Sequence, residues 1–261
     1  MPRELISNQL QTHKTLSRLF ASLADRYILD AMPNTPSRIF AVGRGVNPVL
    51  IKKFVELTGK DYPRICYLPT ASGDSAEMIS WWNNLGAELK FEPYVQKLFI
   101  STFDQPQGFD EILLNMDAIY VGGGNTVNML AIWREHGIDQ ILKEAASSGI
   151  LLGGGSAGGI CWFEGGLTDS RPKVLTPMKA LGWLKGSFAP HYLSEPGRRT
   201  YFHQYILEGS LADGYGCDET VGLLFENDEL MQAYGSTADA QAFYVHNEDG
   251  KILETPIDVR M

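Results

Sequence analysis

The chain is poor in cysteine, in basic charge and in long apolar runs, and each shortage closes a class of function. Its three cysteines, Cys66, Cys161 and Cys217, stand far apart with no Cys-x-x-Cys pair. No disulfide framework and no metal cluster are therefore expected, and a reducing compartment is. Lysine and arginine number 22 against 31 aspartates and glutamates, a formal charge of −9. With no basic run, nucleic acid is not an expected partner. No stretch approaches the ~18 consecutive apolar residues of a membrane span. The opening Met-Pro-Arg-Glu-Leu-Ile-Ser-Asn-Gln lacks the basic-then-apolar order of a signal peptide. The expectation is a cytoplasmic protein with no membrane partner and neither metal nor cofactor.

What is present is a globular composition, 44% hydrophobic and 20% charged over 261 residues. A single α/β domain reaches that length routinely. Glycine is distributed unevenly: of 27, 12 fall between Gly122 and Gly166. The remainder of the chain is at the ordinary level.

Residues 1–33 read as a helical extension, with Leu5, Ile6, Leu10, Leu16, Leu19, Phe20, Leu23 and Tyr27 at three-to-four spacing and Pro33 and Pro36 closing it. It would pack on the domain surface or pair subunits, so a homodimer is compatible with it. Residues 34–261 read as one domain. Short apolar runs at 38–42, 64–69, 118–121 and 150–152 alternate with helical patterns near 48–58, 74–85, 125–134 and 138–148. This alternation predicts a mostly parallel sheet with helices on both faces. Ligands in such sheets bind beyond the carboxyl ends of the strands. Segments 221–225, 229–234 and 242–246 look like antiparallel hairpin strands.

The chemistry concentrates in two glycine clusters that each follow an apolar strand. In Ile150-Leu-Leu-Gly-Gly-Gly-Ser-Ala-Gly-Gly-Ile160, Gly154, Ser156 and Gly158 form Gly-x-Ser-x-Gly. A nucleophile on a tight strand-to-helix turn needs neighbours without bulk. The Ala157 amide, at the helix start, is placed to hold an oxyanion. The second cluster, Val121-Gly-Gly-Gly-Asn-Thr-Val127, could bring a further amide from Gly123 or Gly124. It fails the dinucleotide fingerprint, because Val127 or Thr126 stands where glycine is required. A serine hydroxyl needs a base. His191, after Pro190 in a non-helical stretch, His203 and His246 are the candidates; His13 and His136 read as surface residues.

Taken in order, these motifs resemble the aspartyl dipeptidase (peptidase E) and cyanophycinase family of serine peptidases. They are strand-Gly-Gly-Gly-Asn-Thr, Gly-x-Ser-Ala-Gly, Thr168-Asp-Ser170, Pro190-His-Tyr192 and an acidic residue after a late strand. The resemblance spans roughly residues 38–246. It implies a flavodoxin-like, class I glutamine amidotransferase-like three-layer sandwich with C-terminal antiparallel strands. It implies Ser156 as nucleophile, His191 as base, and Glu226 or Asp169 as the acid. It also implies that an arginine after the histidine, here Arg198 or Arg199, reads a substrate aspartate, although the intervening segment is shorter than in that family. Asn125 joins them as a substrate-binding candidate. The expected activity is hydrolysis of small peptides, as a dipeptidase preferring amino-terminal aspartate. The rivals are an α/β-hydrolase-type esterase using Asp213 or Asp218 with His246, an inactive small-ligand binding protein on the same fold, and a cysteine amidotransferase using Cys161.

Overall fold

The computed structural model describes residues 37–101 and 103–261, which fall in one unit, Pro36–Met261. The helix expected over 1–33, with His13, lies outside the described residues. The first half of the chain follows the strand–helix alternation. In order come β1 (Arg38–Val42), α1 (Pro48–Leu57), β2 (Arg64–Leu68), a 3₁₀ turn (Thr70–Ser72), α2 (Ala76–Leu89), β3 (Glu92–Val95), α3 (Phe109–Leu113), β4 (Ala118–Val121), α4 (Thr126–His136), α5 (Ile138–Ser147), β5 (Leu151–Gly155) and the short α6 (Ala157–Ile160). Asn47, Ser75 and Asn125 start α1, α2 and α4, each accepting a hydrogen bond from an amide of the first turn.

The second half is strand-rich: β6 (Phe163–Thr168), β7 (Thr176–Lys179), β8 (Leu184–Pro190), α7 (Arg198–Leu207), β9 (Gly214–Cys217), β10 (Val221–Glu226), β11 (Glu229–Gly235), β12 (Ala242–Glu248), β13 (Lys251–Pro256) and β14 (Val259–Arg260). Two sheets result. An eight-stranded sheet runs β14-β11-β10-β1-β5-β4-β2-β3, parallel from β1 to β3 and antiparallel where β10 joins β1 and β11. This is the flavodoxin-like α/β architecture expected, with its late antiparallel strands.

The parallel strands are buried on both faces, and their residues divide by alternation. Ile39 and Ala41 of β1, Cys66 and Leu68 of β2, and Ile119 and Val121 of β4 face one core. Phe40 and Val42, Ile65 and Tyr67, and Ala118 and Tyr120 face the other. The second core is closed by Leu50, Ile51 and Phe54 of α1 and Trp82 and Leu85 of α2. Each such side chain contributes about 2 kcal/mol of transfer free energy.

The first core is closed by α4 and α5 and by a second sheet that the sequence patterns do not reveal. That sheet has six strands, β13-β12-β9-β8-β6-β7. Phe163, Leu184, Phe188, Cys217 and Ala242 carry its contribution. It changes one expectation: residues 242–248 pair with β9 and β13, not with the β10–β11 hairpin. Its strands are rich in glycine (Gly165, Gly166, Gly186, Gly214 and Gly216), a residue depleted in strands, so they give little period-two signal. Among the described residues, no helix is long and apolar enough to cross a membrane.

Candidate active site

β5 runs directly into Ser156. That residue has φ 55° and ψ −115°, a conformation uncommon for a residue with a Cβ and held only where surroundings enforce it. The surroundings are backbone. A Cβ on Gly155 would lie 2.0 Å from the Arg44 carbonyl oxygen, and one on Gly158 would lie 2.2 Å from that of Val121. The glycines of the Gly-x-Ser-x-Gly turn therefore let three strand ends crowd together, and the Ser156 amide donates to Val42 O at 3.0 Å.

The other glycine cluster reaches the same place. A Cβ on Gly123 would be 3.4 Å from the Ser156 Cβ, so this turn lies against the serine. Gly124, at φ 138°, packs on the 3₁₀ turn, where a Cβ would meet the Ala71 carbonyl oxygen at 2.2 Å. Among the described residues, the amides of Gly123 and Ala157 donate to no backbone carbonyl, which leaves both available beside the serine hydroxyl.

His191 follows β8 and approaches from the second sheet. Its Nε2 lies 2.9 Å from Ser156 Oγ. Its own φ is 54°, and its loop is held by four amide hydrogen bonds: His191 N to Gly43 O, Tyr192 N to Cys217 O, and Leu193 N and Ser194 N both to Asp218 Oδ1. The Nδ1 atom lies 2.7 Å from Glu219 Oε1. Thus one imidazole joins a serine from one sheet to a glutamate in the loop before β10.

Glu219 is the residue that sequence reading missed. The responsible signal is a register: β8 and β9 are parallel with Pro190 opposite Cys217. The residues just beyond each strand, 191 and 218–219, are therefore neighbours. A strand at Gly214-Tyr-Gly-Cys217 is the local part of that signal; its parallel pairing with β8 is not local.

Glu226 is a correction. In the β1–β10 pairing, Gly222 faces Val42 while Glu226 faces Arg38, so Glu226 stands four residues, about 13 Å, from the serine end of the sheet. Asp169 is also a correction as the residue touching the histidine. Its exposed carboxylate lies 3.5 Å from Arg198 Nη2.

The arginines and Asn125 are occupied by internal partners. Arg198 is only 1% exposed; it donates from Nε to Glu195 Oε2 at 2.7 Å and from Nη1 to Leu167 O at 3.1 Å. Arg199 grips Glu254 of β13, with Nε 2.9 Å from Oε1. Tyr192 and His203 converge on the same carboxylate. Burial alone would raise the Glu254 pKa, but the Arg199, Tyr192 and His203 donors outweigh it and hold the carboxyl below its ordinary range. Asn125 caps α4 through Oδ1 and donates from Nδ2 to Ser170 O at 3.1 Å. Ser170 Oγ in turn accepts from Thr126 N at 2.8 Å. The Thr168-Asp-Ser170 motif thus ties β6 of the second sheet to the Gly-Gly-Gly-Asn-Thr turn of the first.

Two rival arrangements are not built. His246 lies on β12 stacked on Tyr244, while Asp213 accepts from Asn247 N and Asp218 supports the His191 loop. Cys161 is buried in the core with its Sγ on Gly158 O, and burial pushes its thiol well above the ordinary range, the opposite of an activated thiolate. Among the described residues, no cluster of three or more histidine, cysteine, aspartate or glutamate side chains could hold a metal ion.

Comparison with known proteins identifies the family and the fold. The model of peptidase family S51 matches residues 40–233. The uncharacterized peptidase YgaJ of Bacillus subtilis (strain 168) is 44% identical over 203 residues, 77% of this chain and 86% of that protein. In fold, the chain resembles a peptidase from an acI-B1 Actinobacterium, with a TM-score of 0.65, 18% identity, and coverage of 87% of this chain and 96% of the other. It also resembles a Listeria monocytogenes EGD-e protein provisionally named peptidase E, with a TM-score of 0.58, 17% identity, and coverage of 77% and 100%. The chain belongs to peptidase family S51 and is a serine-type peptidase.

Proposed function

We propose that the protein hydrolyses short peptides through a Ser156–His191–Glu219 triad, as a dipeptidase that favours amino-terminal aspartate. The observation that carries the triad is the continuous pair of contacts through one imidazole, Oγ to Nε2 at 2.9 Å and Nδ1 to Oε1 at 2.7 Å. Ser156 Oγ attacks the scissile carbonyl carbon while His191 Nε2 takes its proton. Glu219 keeps the Nδ1–H tautomer oriented and stabilises the imidazolium. The negative charge on the carbonyl oxygen is met by the Ala157 amide and by the Gly123–Gly124 turn. His191 then protonates the leaving amine as the C–N bond breaks, and water, deprotonated by the same imidazole, releases the acyl group. The aspartate preference is supported by the motif resemblance to aspartyl dipeptidases; Arg198 and Arg199, engaged with Glu195 and Glu254, do not support it.

The test compares wild type and Ser156→Ala on aspartyl dipeptides, longer peptides, and the p-nitroanilides of aspartate and leucine. Wild type should cut the aspartyl dipeptides and aspartyl anilide preferentially. The variant should lose on the order of 10⁴-fold or more in kcat. Undiminished turnover by Ser156→Ala would end the mechanism, and equal rates on the two anilides would end the aspartate preference.

A further inference from the structure

We infer that Arg44 is a positioning residue for the triad: it acts on His191 through Glu219 and selects which of two carboxylates serves the imidazole. The inference rests on the Ser156–His191–Glu219 reading. Two carboxylates face His191 Nδ1, Glu219 at 2.7 Å and Glu195 at 3.9 Å. Each is held by its own arginine. Glu195 Oε2 takes the Nε of buried Arg198 at 2.7 Å, and Glu219 Oε2 takes the Nη1 of Arg44 at 3.0 Å. Two carboxylates thus flank the imidazole, each backed by an arginine, with Asp169 on the far side of Arg198.

The loop carrying Arg44 is built to hold Glu219. Gly43 and Gly45 flank the arginine, and a Cβ on Gly43 would lie 2.0 Å from the Asp218 carbonyl oxygen. The β1–α1 loop can therefore press against the segment bearing the acid. Three residues on, Asn47 donates from Nδ2 to the Glu219 carbonyl oxygen at 3.2 Å and to Ser236 Oγ at 3.0 Å. Glu219 is clamped at its backbone by Asn47 and at its carboxylate by Arg44, with one oxygen left for the imidazole. Arg198 is pinned by three acceptors, whereas Arg44 is half exposed with Glu219 as its ion-pair partner. Without Arg44, the Glu219 carboxylate is free to rotate toward water, and Glu195, still pinned by Arg198, is too distant for a good hydrogen bond.

The experiment measures Arg44→Ala and Arg44→Lys, each alone and with Glu219→Gln, by two readouts. One is the rate at which a fluorophosphonate labels Ser156, which needs no peptide; the other is kcat and KM on aspartyl p-nitroanilide. Arg44→Ala should slow labelling and lower kcat about tenfold, with KM changed less than about twofold, and Arg44→Lys should recover most of the loss. In the Glu219→Gln background Arg44→Ala should cost nothing further. A raised KM with kcat and labelling intact would instead make Arg44 a substrate contact. An equal loss in both backgrounds, or no loss at all, would equally overturn the inference. If Arg44→Ala does not fold, Arg44→Gln gives the same comparison. Labelling of wild type without peptide cleavage would defeat the peptidase substrate proposal while leaving the Arg44 result to stand on the labelling rates. Absence of labelling in wild type would overturn both.

Discussion

The two halves of the site are made by opposite means. On the eight-stranded sheet, the turn carrying Ser156 is shaped by missing side chains: Gly154, Gly155 and Gly158 let carbonyls and Cα atoms approach within distances a Cβ would forbid. On the second sheet, His191 is placed by charge and hydrogen bonding, through Glu219, the Asp218 carboxylate and the anchors around Glu254. The first half is rigid by contact between backbones and has no rotamer to lose. The second can be disabled one polar atom at a time, with the core left standing.

The contrast is sharpest when one acid is removed. Glu219→Gln should lower kcat by about 10²- to 10⁴-fold, since the imidazole loses its orienting carboxylate, while melting near the wild-type temperature. Glu226→Gln, at the far end of β10, should stay within about twofold. Equal losses from the two would put the acid elsewhere and break the comparison.

On the glycine side, the expected damage is to folding. Gly158→Ala sets a Cβ 2.2 Å from the Val121 carbonyl oxygen and should cost about 3 kcal/mol in denaturant unfolding. Gly209→Ala, where the added carbon meets nothing but φ is 71°, should cost only about 1 kcal/mol. If the two were equally mild, close packing would not be what shapes the Ser156 turn.

Arg198→Met separates a structural arginine from a specificity one. Removing the buried guanidinium leaves Glu195 and Leu167 O without their donor, for about 2 kcal/mol of stability. The ratio of aspartyl to leucyl anilide hydrolysis should stay the same. A collapse of that ratio with stability intact would return Arg198 to the substrate.

The smallest effect is in pH dependence. Glu254 is held below its ordinary carboxyl pKa of 4.5, so its contribution to stability is present above that value and is lost as pH falls below it, through the folded-state pKa. The melting temperature of wild type should decline in that acidic window more steeply than that of Glu254→Gln. Parallel declines would remove the Glu254 cluster as an anchor of the second sheet.

How far each half could be read from sequence follows the same division. β1, β2, β4 and β5 are strands buried on both faces, so they appear as short apolar runs. Glycine clusters after two of them mark crowding without any knowledge of partners. Ser156, Ala157 and Gly123 were accessible in this way. Glu219 was not, because its relation to His191 depends on β8 lying parallel to β9, and β9 is a four-residue strand with two glycines. Nor was the engagement of Arg198 and Arg199 legible, since Leu167 and Glu254 are distant in sequence. Asp169 and Glu226 had the right chemistry in the wrong register.

By itself, then, the sequence determined the parallel α/β sheet, its two-faced core and the serine-bearing turn, because those depend on local periodicity and on where a Cβ is absent. Only the tertiary structure decided which carboxylate faces the imidazole, which arginines are spent internally, and how the second sheet delivers the histidine. Those outcomes depend on which strand ends are neighbours, and electrostatic partners are chosen by distance in space.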